Sequence, residues 1–182
     1  MHREKLKKLL SSYQITFDED LEILNRFSAF IDSQSDCFER TLSVGHITGS
    51  AWVVDKEREH VLFTYHRKLD MWLQLGGHCD GDSDVYSVAL TEAKEESGLV
   101  ALNAVSKDIF DLDIHMIPKY KNTDEHYHYD VRFIFEADLS DELIISKESK
   151  DLSWIHIDEI KNHTNESSIS RMVNKLKKLN EV

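Results

Sequence analysis

The chain has 182 residues, with 22 Lys and Arg against 34 Asp and Glu, giving a formal charge of −12 and a pI near 5.2. This balance excludes a surface built to hold a nucleic acid polymer, because phosphate neutralisation needs clustered Lys and Arg. A single proline and 41% apolar residues fit one domain with a sizeable core.

The first stretch, Met1 to Leu10, is interrupted by Glu4, Lys5, Lys7 and Lys8, so it lacks the apolar region of a secretory signal. No apolar run approaches the length that spans a membrane. Cys37 and Cys79 could pair, but such sparse usage without a signal sequence reads as reduced thiols in a cytoplasm. The expectation is therefore a cytoplasmic protein.

Arg3–Leu10 and Asp18–Ile31 have helical spacing, the second through Leu21, Leu24, Phe27 and Ile31 with Asp18 as its N-cap. Residues 1–40 thus read as a helical extension packed on a domain spanning 41–182. Ile47–Val54 and His60–His66 are β-branched and aromatic runs flanking the charged segment Asp55–Glu59, a hairpin signal. Met71–Leu75 is a short strand leading into Gly76-Gly77, and the loop Asp80–Asp82 feeds a helix over Asp84–Ser97. In that helix Asp84 is the cap, Val85, Val88, Ala89 and Ala93 the buried stripe, and Gly98 the stop. Strands follow over Ile109–Ile117, Tyr127–Ala137 and Leu152–Ile157, and closing helices over Asp158–Lys161 and Ser168–Leu179. The order predicts an α/β protein with a mixed sheet.

The helix before Gly98 carries Glu92, Glu95 and Glu96 at i, i+3 and i+4, which stacks carboxylates on one face. Like charges one turn apart repel unless solvent screens them or a cation sits between them, and a hard divalent ion suits oxygen ligands. The alternative is a solvated helix face.

The segment from Gly77 to Leu99 resembles the Nudix signature at full length and without a gap. Gly77, Glu92, Ala93, Glu95, Glu96, Gly98 and Leu99 match in register, whereas Ser83 and Thr91 replace its first Glu and its Arg. The resemblance implies a Nudix α/β/α sandwich with a mixed β-sheet and, here, an N-terminal helical extension. It also implies that Glu92, Glu95 and Glu96 hold Mg²⁺ or Mn²⁺, with the Gly77 carbonyl as a further ligand. The chemistry it implies is hydrolysis of a diphosphate bond in a small phosphorylated metabolite, with Glu95, Glu96 or another acidic residue taking the proton from water. The double glycine would let backbone approach the phosphates closely.

The histidines carry a second resemblance, to the isopentenyl-diphosphate isomerase branch of the same superfamily. His46 with Ser50 and Trp52, then His78, then His128 with Asp130 are similar to the elements that supply that branch's second metal site. By strand alternation alone, His128 and Asp130 share one face, and His126 shares it too if the strand begins early enough. Three imidazoles and a carboxylate suit Zn²⁺ or Mn²⁺. Structural roles for His46, His78, His128 and Asp130 stand beside metal ligation as an equal alternative. Gly76 occupies the place of that branch's catalytic cysteine, and Cys79 is three residues away from it, which counts against isomerase chemistry.

Substrate contacts are expected from Tyr65, His66, Arg67 and Lys68 or from Lys119, Tyr120 and Lys121, each able to hold phosphate or stack on a base, or else to be ordinary loop charges. The leading expectation is a metal-dependent Nudix hydrolase acting on a small phosphorylated metabolite. Its alternatives are a nucleotide-sensing Nudix module without turnover and an isomerase-like enzyme. Neither a membrane nor a nucleic acid polymer is an expected partner, and a homodimer is left open.

Overall fold

The computed structural model describes residues 2–120 and 123–181. In chain order the elements are α1 (Glu4–Ser11), α2 (Asp18–Ser33), β1 (Gly45–Val54), β2 (His60–His66), β3 (Met71–Leu73), β4 (Leu75–His78), α3 (Val85–Ser97), β5 (Asn103–Ala104), β6 (Asp111–Ile117), β7 (His126–Glu136), β8 (Ser149–His156), a 3₁₀ turn (Ile160–Asn162) and α4 (Ser167–Asn180). The fold class is α/β. Two compact units divide the chain, one from Met1–Ser50, Gly76–Ala89 and Ser106–Phe133, the other from Ala51–Leu75, Leu90–Val105 and Ile134–Val182.

In the first unit β6 and β7 pair antiparallel, with Asp113 opposite Asp130 and His115 opposite His128. β1 pairs with both β7 and β4. The Tyr127 N–H donates to the Val44 carbonyl at 3.4 Å, and further along the Thr48 hydroxyl donates to Asp130 at 2.8 Å. The two contacts advance together along both strands, so β1 and β7 run parallel and the sheet is mixed. Even-numbered residues of β1 and β7 therefore share one face and odd-numbered residues the other.

The odd face is the apolar one. Ile47, Val131 and Phe133 are fully buried there. Phe30 of α2 stacks on Tyr129 with ring centroids 3.8 Å apart, and Phe27 meets the same ring edge-on at 5.4 Å. Each such pair contributes about 0.5–1.5 kcal/mol beyond its buried area. At the start of α3, Tyr86 lies edge-on to Phe133 at 5.2 Å, and a Cβ on Gly49 would stand 2.8 Å from the Val85 carbonyl. Only glycine lets this helix lie so close to β1.

The N-terminus of α2 differs from expectation. Asp20, not Asp18, satisfies the free donors: its carboxylate accepts the N–H groups of Thr16 at 2.8 Å and Phe17 at 3.0 Å and the Tyr13 hydroxyl at 3.1 Å. Asp18 is already the first helical residue, so Asp20 is the carboxylate able to reach back. Asp20 also takes the inward position assigned to Leu21, which is 53% exposed.

In the second unit β2 pairs with three strands along its two edges: Val61 with Val54 of β1, Tyr65 with Trp72 of β3, and Leu62 with Trp154 of β8, all antiparallel. The β1–β2 hairpin forms as expected, with Asp55 accepting the N–H groups of Glu59 and His60 at 2.8 Å each. β5 pairs with the end of β7 through Asn103 and Glu136. This strand was not expected, since two residues carry no periodicity. α3 ends where Gly98 adopts a φ of +75° and its N–H donates to the Lys94 carbonyl at 2.8 Å. On α4, Ile169, Met172 and Leu176 form the buried stripe.

The expected strand Met71–Leu75 divides into β3 and β4, and β4 runs on through both glycines to His78. The reason is steric: a Cβ on Gly76 would lie 2.4 Å from the Ser50 hydroxyl and 2.8 Å from the Gly49 carbonyl. Without side chains the segment lies flat against β1 instead of turning away.

Candidate functional site

The even face of the first unit is lined with histidines. β1 contributes His46, β4 contributes His78, and β7 contributes His128. One potential ligand atom from each lies within 4.8 Å of the other two, and among the described residues this trio is the group of three or more His, Cys, Asp or Glu so gathered. The ring centroids of His46 stand 5.0 Å from His78 and 4.8 Å from His128, and those of His78 and His128 are 5.1 Å apart.

Burial sets their charge. Burial first, then the neighbouring His78 and His126, pushes the His46 imidazole down to about 4, and His128 falls to about 2 for the same reason with His46 and His115 nearest. Both rings are neutral at pH 7, the form that binds metal. His46 is 1% exposed, and neither of its ring nitrogens has a hydrogen-bond partner; Nε2 of His128 is buried and unpartnered too. The Leu42 carbonyl favours the charged form of His46 but does not reach hydrogen-bonding geometry. Buried polar atoms without partners cost about 1–3 kcal/mol each, so the donor set fits an ion that would satisfy them together.

Asp130 sits on the same face but is engaged elsewhere. Its carboxylate accepts the Thr48 hydroxyl at 2.8 Å, the Ser50 hydroxyl at 2.7 Å and the Arg132 Nε–H at 2.8 Å. Arg132, 2% exposed, reaches Asp111 at 3.1 Å and Asp113 at 3.3 Å as well. Burial works against the guanidinium charge, but Asp130, Asp113 and Asp111 outweigh it and hold Arg132 protonated. Asp113 also accepts from His115 Nδ1 at 2.9 Å, and the His115 ring meets His128 at 5.4 Å. Sequence reading overlooked this Asp-any-His alternation on β6, which mirrors His128-any-Asp130 on β7.

The second unit carries Glu92, Glu95 and Glu96 along the last two turns of α3. Glu96 is 8% exposed, Glu92 is half-buried and Glu95 is exposed. Gly77 lies on β4 beside His78, in the first unit. Of the basic residues, Arg67 is committed to backbone, donating to the carbonyls of Lys147 at 3.1 Å and Ser149 at 2.7 Å. The Tyr65 hydroxyl donates to the Asp70 carbonyl at 3.1 Å, and Lys119 pairs with Asp124 at 2.6 Å. Lys68 is exposed. Lys121 lies outside the described residues.

Gly76 also bears on the isomerase alternative. The same Cβ clash with Ser50 leaves no room for a cysteine at that position. Cys79, 4% exposed, has its thiol pushed well up by burial and then by Asp82 and Asp130, so it offers no ready nucleophile.

No family model matches the sequence, and no curated protein matches it. Solved structures do. A MutT protein from Methanosarcina mazei Go1 aligns with a TM-score of 0.57 at 16% identity, covering 78% of this chain and 99% of its own. A NUDIX-family hydrolase from Clostridium perfringens aligns at 0.50 with 25% identity, over 74% and 97%. The Ap4A hydrolase of C. elegans, as a binary complex, aligns at 0.53 with 13% identity, over 73% and 96%. This chain has the Nudix fold. Within that fold β4 holds Gly77 and α3 holds Glu92, Glu95 and Glu96, with Gly98 and Leu99 just past the end of the helix.

Proposed function

We propose that this protein is a metal-dependent Nudix hydrolase that cleaves a diphosphate bond in a small phosphorylated metabolite, such as a nucleoside diphosphate linked to another moiety. The observation that carries the reading is Glu92, Glu95 and Glu96 on α3 of a Nudix fold, in register with the signature from Gly77 onward. The name of the C. elegans relative, an Ap4A hydrolase, supports a nucleotide-like substrate.

Glu92 and Glu96 would hold Mg²⁺ or Mn²⁺; the Gly77 carbonyl is a further ligand by resemblance to the signature alone. A hard divalent ion supplies charge neutralisation to the diphosphate. Glu95, the exposed carboxylate, is the one a solvent water reaches and takes its proton as the phosphorus–oxygen bond breaks. Tyr65 and Lys68 are contacts for phosphate or base, with Arg67 ordering the β2–β8 edge beside them; the alternative is Lys119, by exchanging its exposed partner Asp124. His46, His78 and His128 form a second site, for Zn²⁺ or Mn²⁺. The unpartnered nitrogens of His46 and His128 support that site, and the engagement of Asp130 argues that it serves as a brace and not as a ligand.

The test is a panel of diphosphate-containing metabolites with Mg²⁺, Mn²⁺ and Zn²⁺, scored by product identity. Release of a monophosphate is expected, with kcat lowered about 10²–10⁴-fold in Glu95→Gln and metal dependence weakened in Glu96→Gln. Full turnover in both variants overturns the assignment. Tight binding without turnover by any metal makes the protein a sensing module instead.

A further inference from the structure

We propose that His126 is the fourth ligand of the histidine site, closing an all-nitrogen centre for a borderline ion of the Zn²⁺ class. The inference rests on the reading of His46, His78 and His128 as metal ligands and adds to it a residue and a donor count.

His126 opens β7, two residues before His128, and so projects from the same face of the strand. Its ring centroid lies 5.0 Å from His46 and 5.2 Å from His128, the spacing that the trio keeps among its own members. One of its nitrogens is already assigned: Nδ1 stands 2.8 Å from the Asp124 carbonyl, which can only accept, so Nδ1 carries the proton and donates. Nε2 is left with its lone pair. A ring whose Nδ1–H is anchored on a backbone carbonyl has the outer-shell arrangement that fixes a metal-binding tautomer.

His126 is only half-buried and stands just outside the closest-packed trio. An ion held by the trio would draw Nε2 inward, and a half-buried ring at the start of a strand has room to turn. The trio alone leaves one tetrahedral position open, and His126 is a described nitrogen donor whose ring contacts two of its three members. His115 is the competing donor, with its Nδ1 likewise anchored, on Asp113, but its ring centroid lies 5.4 Å from His128, whereas that of His126 lies within 5.2 Å of two members of the trio. The oxygen ligand that would favour a harder ion is withdrawn, since Asp130 is spent on Thr48, Ser50 and Arg132.

Co²⁺ titrated into the metal-free protein reads the donor set from its visible absorption. The wild type is expected to give the intense bands of a four-coordinate nitrogen site. His126→Asn keeps a donor for the Asp124 carbonyl but lacks Nε2; it is expected to retain the ion with altered bands and an affinity at least about 10-fold weaker. His115→Asn should leave bands and affinity unchanged. An unaltered spectrum and affinity in His126→Asn, with the bands lost in His128→Ala, overturns the role of His126 and leaves the trio standing. The same holds if His115→Asn, and not His126→Asn, changes them. No tetrahedral bands in the wild type remove the trio itself, and this inference with it. Circular dichroism of each variant separates ligand loss from unfolding.

Discussion

Arg132 is the residue on which the charged part of the β-sheet face depends. It touches three carboxylates from two strands at 2.8–3.3 Å while almost wholly excluded from water. Removing it would leave Asp111 and Asp130 buried without their shared cation, and stranded buried charges are costly even where the intact pair gains little. Arg132→Met is therefore expected to lower the unfolding free energy by about 3–5 kcal/mol, read from urea denaturation of the metal-free protein. A loss within experimental error would mean that the carboxylates relax to other partners. Sequence alone placed His46, His78 and His128 together because their chain neighbours resemble a known arrangement. It could not reveal that Asp130 had been claimed by Thr48 and Ser50, since hydrogen-bond competition is decided across strands and not along them.

Among the elements, α3 was the most legible, because its cap, stripe and stop are all local. Asp84 accepts the Ser87 N–H at 3.3 Å, Val85, Val88, Ala89 and Ala93 are buried, and Gly98 ends the helix. Gly98 has two reasons to be glycine: its φ of +75° and the 2.5 Å that would separate a new Cβ from that of Ile144. Gly98→Ala is expected to cost at least about 1–2 kcal/mol by the same denaturation assay, with faster amide exchange in the last turn of α3. β4 was less legible because glycines are normally read as punctuation. Their role as strand residues follows from the nearness of Ser50, a contact made by a distant part of the chain. The exposed position of Leu21 has the same origin: periodicity locates a helix well, but it fixes the inward direction only to within about one residue.

For the molecule as a whole, a formal charge of −12 sets a condition on any polyphosphate ligand. Acidic protein and anionic ligand repel each other over a distance set by ionic strength, so a divalent cation must offset the charge before close contact. Chelation with EDTA is expected to abolish both binding and turnover of a diphosphate substrate, and added Mg²⁺ or Mn²⁺ to restore them; full activity in chelator would refute the requirement. No helix among the described residues is long and apolar enough to cross a membrane. The clasp of Phe27 and Phe30 around Tyr129 has a further consequence during biosynthesis. The two phenylalanines leave the ribosome long before the tyrosine that shelters them, so the nascent chain carries an oily, unsatisfied helix through most of its translation. Such distant contacts close slowly, so this helix waits for its cover until β7 has been made.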